Sequence, residues 1–273
     1  MILNHPTSPI AIIGSLLNHR GLIWELAKRD FVGRYKGSFI GIVWSLLNPL
    51  FMLSVYTIVF SVVFKARWGA GDESKVSFAI VLFAGMIVHG LFAECLNRAP
   101  GLVLAQPNYV KKVVFPLEIF PWVALASALL HFVVSFALLL IFCLVSGMEI
   151  HPTILLAPLV IAPLLLMILG LSWLFASLGV YLRDVSQIMG FATTVLLFLS
   201  PVFYKASALP EEFQIFLAIN PLTLPIEQLR DVMLWGKGID WISWGISLLL
   251  GAAICQIGFW WFQKTRKGFA DVI

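Results

Sequence analysis

Few residues in this chain have the types and spacing that chemistry requires. The five histidines, His5, His19, His89, His131 and His151, are scattered, with no i, i+4 pair and no HExxH, so spacing gives no support to a metal site. The three cysteines, Cys95, Cys143 and Cys255, are odd in number and far apart, each in or beside an apolar stretch. They read as small core residues, not as a disulfide or metal framework. Gly236-Lys237 lacks the upstream glycine and the following Ser or Thr of a phosphate-binding loop. No catalytic residue and no metal ligand is assigned. Two charge pairs remain, Asp30 with Arg34 and Glu94 with Arg98, each at the i, i+4 spacing of a local ion pair on a helix. Aromatic residues are the other resource: 10 Trp, 22 Phe and 5 Tyr, more than interface belts require. Trp44, Phe51, Tyr56, Phe60, Phe198 and Tyr204 fall inside long apolar windows, as do Phe191 and Phe203. Aromatic faces stack on sugar rings and let them slide without fixed charge. Phenylalanine in a membrane helix more often faces lipid or a neighbour, and spacing alone leaves both readings open.

The elements that would position these residues follow from where charge is missing. The 273 residues are 60% hydrophobic and 12% charged, with a mean hydropathy of +0.97. Soluble domains carry about 25% charged residues, so the outer surface of this protein faces something other than water. That excludes a cytosolic enzyme, a nucleic-acid-binding domain and a disordered chain. Six windows hold no Asp, Glu, Lys or Arg: 37–64, 76–93, 119–148, 150–182, 185–204 and 241–263. A helix needs about 20 residues to cross the hydrocarbon of a bilayer. Runs such as Leu138-Leu139-Leu140-Ile141 lack the alternation of a barrel strand. The windows therefore predict an all-α integral membrane protein with six transmembrane helices. Twelve of the eighteen basic residues fall on the side that holds both termini, which the positive-inside rule makes cytoplasmic. The uncharged opening stretch Met1–His19 has no basic start and carries Pro6 and Pro9, so it is not read as a signal peptide.

Three segments are not spans. Leu22–Lys36 predicts an amphipathic helix lying along the membrane interface, with Glu25, Lys28, Arg29 and Lys36 in one sector. The connection from Asn97 to Leu117 predicts a short helix over Ala99–Ala105, then turns set by Pro107 and Pro116. On the outer side, Phe213–Ile226 is charge-free but only 14 residues long and broken by Pro221 and Pro225. It is too short to span and too apolar for water, which predicts re-entrant half-helices with Asn220-Pro221 at the tip, ahead of an amphipathic hairpin lying on the outer leaflet. No span core holds an ionisable Asp, Glu, Lys or Arg, whereas secondary transporters commonly need such groups at mid-membrane. This points to a transporter whose energy arrives from elsewhere, or to a passive pore.

Four stretches, in order, resemble the ABC-2 type permeases of polysaccharide exporters. They are Tyr35-Lys36-Gly37-Ser38-Phe39-Ile40-Gly41-Ile42-Val43-Trp44 continuing to Asn48-Pro49-Leu50, then Val113-Val114-Phe115-Pro116-Leu117-Glu118. Arg183-Asp184-Val185 with Ser200-Pro201 follows, and then Asn220-Pro221-Leu222 with Glu227 and Arg230 downstream. The resemblance implies one transmembrane domain over 1–273, working as a homodimer with two copies of a separate ATPase that holds ATP and Mg. It implies a lipid-linked polysaccharide of the O-antigen or capsule kind as substrate, moved across the bacterial inner membrane. It makes 22–36 an interface helix and 99–107 a coupling helix, with Glu25, Lys28, Arg29, Arg98, Ala99, Leu102 and Gln106 as residues touching the ATPase. It makes 208–236 an outer gate carried by Phe213, Phe216, Asn220, Pro221, Glu227 and Arg230. Gly170, Gly179 and Gly190 would allow close approach at the dimer seam. Teichoic acid, lipid or drug cargo on the same fold stays open, as does a membrane enzyme or passive channel outside the ABC proteins.

Overall fold

Uninterrupted apolar runs leave the backbone no partner but itself, and the chain answers with helices. The structure, a computed structural model, describes residues 7–59, 75–111 and 115–273, and among these there is no strand. In chain order the helices are α1 (Pro9–Gly33), α2 (Trp44–Tyr56), α3 (Lys75–Arg98), α4 (Pro107–Lys111), α5 (Phe120–Val145) and α6 (Ala157–Tyr181). They continue with α7 (Val185–Leu199), α8 (Glu211–Ile219), α9 (Thr223–Leu234), α10 (Trp241–Thr265) and α11 (Phe269–Val272). Four apolar stretches are long enough to cross a membrane: Phe78–Gly101, Leu117–Val145, Pro152–Tyr181 and Trp241–Val272. Two shorter apolar helices, Trp44–Val59 and Val185–Leu199, fall in the first and fifth charge-free windows.

Several boundaries differ from the sequence expectation, each for a local reason. The first window, 37–64, is α-helical only from Trp44, after a single 3-10 turn over Gly41–Val43, because Gly37 and Gly41 take φ of +88° and +58° and turn the chain before it. Its last residues, 60–64, lie outside the described residues. The window 76–93 continues as helix to Arg98, since charged Glu94 and Arg98 sit at the helix end without breaking it. The window 185–204 stops at Leu199, where Pro201 drives Ser200 to extended backbone at ψ 153°. The helix expected over 22–36 is 25 residues long, from Pro9 to Gly33. Pro9 at its first turn and the Ser8 hydroxyl, accepting from Ala11 N at 3.3 Å, start it upstream.

α3 is the centre of the bundle: 78% of its most apolar window is buried, against 17% for α5 and 22% for α10, whose outer faces are exposed. α6 and α10 form the tightest pair. A Cβ added to Gly258 would overlap the Gly170 carbonyl, so the two backbones meet glycine on glycine. Gly179 stands equally close to the Pro100 carbonyl, and Gly190 has nothing within 4 Å. Gly170 and Gly179 therefore serve contacts inside the chain, which corrects their reading as dimer-seam residues. Trp173 is fully buried in this layer. Its indole donates to the Glu118 carbonyl at 3.0 Å and meets Phe259 edge-on at 4.9 Å.

The bundle has two distinct ends. At one, Arg266 pairs with Glu118 at 2.5 Å, Tyr181 donates to the Thr265 carbonyl and Arg98 reaches Asp30. At the other, Thr153 donates to the Val232 carbonyl, Gln228 to the Asp240 carbonyl and Arg230 to the Val81 carbonyl. The carboxyl-terminal helix ends at the first, and the α8–α9 hairpin closes the second.

Candidate functional site

At the end that holds the carboxyl terminus, the two charge pairs seen in the sequence fuse into one network across three helices. Arg34 lies 3.3 Å from Asp30 and 2.5 Å from Glu94, and Arg98 lies 2.7 Å from Asp30 and 3.9 Å from Glu94. Ser127 of α5 donates to Asp30 at 2.7 Å and receives Arg34 at 3.1 Å. Burial alone would raise the Asp30 carboxyl, but hydrogen bonds from Arg98 and Ser127 and the Arg98 and Arg34 charges hold it below the usual carboxylate range. Two cations and two anions neutralise one another, so the cluster needs no further ion. Next to it, Tyr35 and the His131 ring are 3.3 Å apart and Phe31 packs on His131 at 4.6 Å between ring centroids. The i, i+4 rule found each pair; only the packing of α1 on α3 and α5 joined them.

The residues expected to touch an ATPase divide by environment. Glu25 and Lys28 are exposed and paired with each other at 2.8 Å, and Arg29 is exposed beside them on α1. Arg29, Arg98, Leu102 and Gln106 line one open cavity of about 710 Å³, together with Asp30 and Tyr109. Ala99 is fully buried and cannot touch a partner with its side chain. The segment 99–107 is not one helix: a single tight turn spans Ala99–Gly101, turns follow, and α4 begins at Pro107. Pro100 and Gly101 account for this, one lacking an amide donor and the other poor in helix propensity.

The aromatic residues form a partly exposed surface on α2 and α7. Trp44 and Phe51 lie 6.5 Å apart on α2, with Phe51 52% exposed. Tyr56 meets Phe203 at 6.5 Å, and Phe203 stacks on Phe198 at 5.7 Å, so Phe203 links the two helices. Tyr204 donates to the Phe198 carbonyl at 3.3 Å, and Phe60 lies outside the described residues. A row of rings without an ion among them can pass a polyhydroxylated chain by stacking. Covered by lipid or by a second chain, the same row is packing surface.

At the opposite end, α8 and α9 are short helices joined at Asn220-Pro221-Leu222. Asn220 is buried and fixes the tip, donating to the Ser200 hydroxyl at 2.9 Å and accepting from Leu222 N at 2.9 Å. α8 carries Phe213 and Phe216 outward, whereas α9 is buried along Ile226, Leu229, Val232 and Met233. Glu227 is half-buried. Arg230, expected as a gate residue, is 1% exposed and acts as a tie. It donates to the carbonyls of Val81 at 2.9 Å, Pro201 at 2.5 Å and Val202 at 2.9 Å. Gly85 makes the room: a Cβ there would sit 2.6 Å from the guanidinium. These partners lie 28 to 149 residues away in sequence, and no local pattern announces them.

The family profile described as ABC-2 type transporter matches residues 21–234. The O-antigen export system permease protein RfbA of Myxococcus xanthus is 28% identical over 97% of this chain and 100% of its own length. A protein of the same name from Klebsiella pneumoniae is 25% identical over 92% of this chain and 95% of its own. The polysialic acid transport protein KpsM of Escherichia coli is 23% identical over 81% of this chain and 82% of its own length.

Proposed function

Because the chain belongs to the ABC-2 type transporter family, we propose that it is the transmembrane subunit of an ATP-driven exporter that moves a lipid-linked, O-antigen-like polysaccharide. The observation that carries this reading is similarity along almost the full chain to permeases named for O-antigen export. The aromatic surface on α2 and α7 supports it, since it offers stacking without fixed charge. Two copies of this chain would form the path, and two copies of a nucleotide-binding subunit would supply ATP, Mg and hydrolysis. The inner membrane is its location, with both termini cytoplasmic, in keeping with the bias of basic residues toward that side.

The mechanism follows from which helices are joined. Closure of the ATPase pair pushes on exposed α1 and on the cavity around Arg29, Leu102 and Gln106. The network of Asp30, Arg34, Glu94 and Arg98 carries that push into α3 and α5, because it joins all three helices by charge-assisted bonds. The protomers separate, the aromatic path opens, and the α8–α9 hairpin releases the glycan outward. Deleting the gene tests this: surface polysaccharide should vanish while lipid-linked glycan accumulates inside. Normal surface polysaccharide in the deletion strain would sink the reading.

A further inference from the structure

The end of the bundle that carries the α8–α9 hairpin holds an open cavity of about 720 Å³, within the size range of small-ligand sites. Its walls are the connection after α7, one face of α8, and the second half of α9. Six side chains give it character: Lys205, Gln214, Glu227, Asp231, Trp235 and Lys237. The charges nearly balance, two carboxylates against two amines. Arg230 forms the base, with donors already committed to the Val81, Pro201 and Val202 carbonyls. The carboxylates oppose a phosphate ligand, and the amines oppose a metal cation. A neutral polyhydroxylated ring satisfies both sets, donating to Glu227 and Asp231 and accepting from Lys205 and Gln214.

Trp235 supplies what a sugar needs beyond hydrogen bonds. It is 40% exposed at the cavity wall, a broad apolar face that suits the C–H face of a pyranose. Lys237 now lies over that ring at 5.6 Å and pairs with Asp231 at 3.0 Å. The Lys237 side chain is 64% exposed, and exchanging so open an ion pair costs little. A sugar arriving at Trp235 would displace the lysine and find Asp231 released.

From this geometry we infer that the cavity is a saccharide subsite, holding one or two neutral sugar units of the glycan against Trp235 as it leaves the path. The inference rests on the exporter reading and adds a site to it. The test uses the full chain with its ATPase in living cells. A photoreactive benzoylphenylalanine replaces Ser207 at the cavity rim or, as control, Trp241, which is exposed at the same end but outside the cavity. Irradiation during export should yield periodate-sensitive, glycan-bearing adducts at position 207 and not at 241. Trp235→Ala and, as a conservative partner that keeps the fold, Glu227→Gln should each cut the adduct about five-fold, with membrane levels of the protein checked alongside. Equal adducts at both positions, or yields untouched by both variants, overturn the subsite. So does the absence of an adduct at 207 in cells whose surface glycan depends on the gene. Surface glycan independent of the gene overturns the exporter reading, and the subsite with it.

Discussion

Both ends of the bundle are organised by arginine, and they use it in opposite ways. At the end that holds the carboxyl terminus, Arg34 and Arg98 share the carboxylates of Asp30 and Glu94, with side chains 22% to 31% exposed. At the other end, Arg230 is buried and donates to three backbone carbonyls, with the charge of Glu227 also acting on it. Carboxylate partners can be exchanged: Arg34 already reaches two, and Asp30 is claimed by both arginines and Ser127. Carbonyl partners cannot, because each fixes one point of a planar fork on a rigid backbone. The first arrangement suits an element that shifts between states, and the second suits an anchor on which a hairpin hangs.

The sharpest way to break this contrast is at Arg230. Arg230→Met leaves carbonyls at Pro201 and Val202 without their donor, at about 1–3 kcal/mol for each buried group left unsatisfied. We expect a severe loss of folded protein in detergent, read by size-exclusion after heating. Arg230→Lys should rescue little, since one ammonium cannot span three carbonyls; full rescue by lysine would mean that charge alone matters there. Asp30→Asn comes next, an expected loss of about 1–2 kcal/mol as charge-assisted bonds to Arg98 and Arg34 weaken. Transport should fall more than stability, and a double-mutant cycle of Asp30→Ala with Arg98→Ala should show coupling above that of exposed ion pairs.

The two ends should also differ in acid. The Asp30 carboxyl is held below its unfolded value, so its contribution is present above the unfolded carboxylate range and is lost as pH falls through the folded value. The stability gap between wild type and Asp30→Asn should therefore close in acid, while the gap to Arg230→Met, set mainly by backbone carbonyls that do not titrate, should change less. A gap at Asp30 that is constant with pH would contradict the network. The smallest effect is expected at Glu25: its pair with Lys28 is exposed, so Glu25→Gln should change stability by less than about 0.5 kcal/mol. Any larger consequence should appear only in binding of the ATPase, measured by co-purification.

Much of this layout is legible along the chain because it depends on near neighbours. Six charge-free windows locate the apolar helices, Pro201 ends α7, and Asn220-Pro221 turns the chain between α8 and α9. Local residues also set the boundaries that differ from expectation: Pro100 and Gly101 break the expected coupling helix, and Pro9 starts α1 early. The functional surfaces were legible only in fragments. Asp30–Arg34 and Glu94–Arg98 were visible as separate pairs, and the aromatic residues as a list without a face.

Composition and charge spacing by themselves determined that this protein lives in a membrane, spans it with helices and carries no ionised group in its span cores, because the cost of charge in hydrocarbon acts residue by residue. Tertiary structure alone decided that two ion pairs are one network, that Gly170 meets Gly258, and that Arg230 is an anchor. Those outcomes turn on hydrogen-bond and contact distances between segments up to 149 residues apart, and no local periodicity encodes which segments will meet.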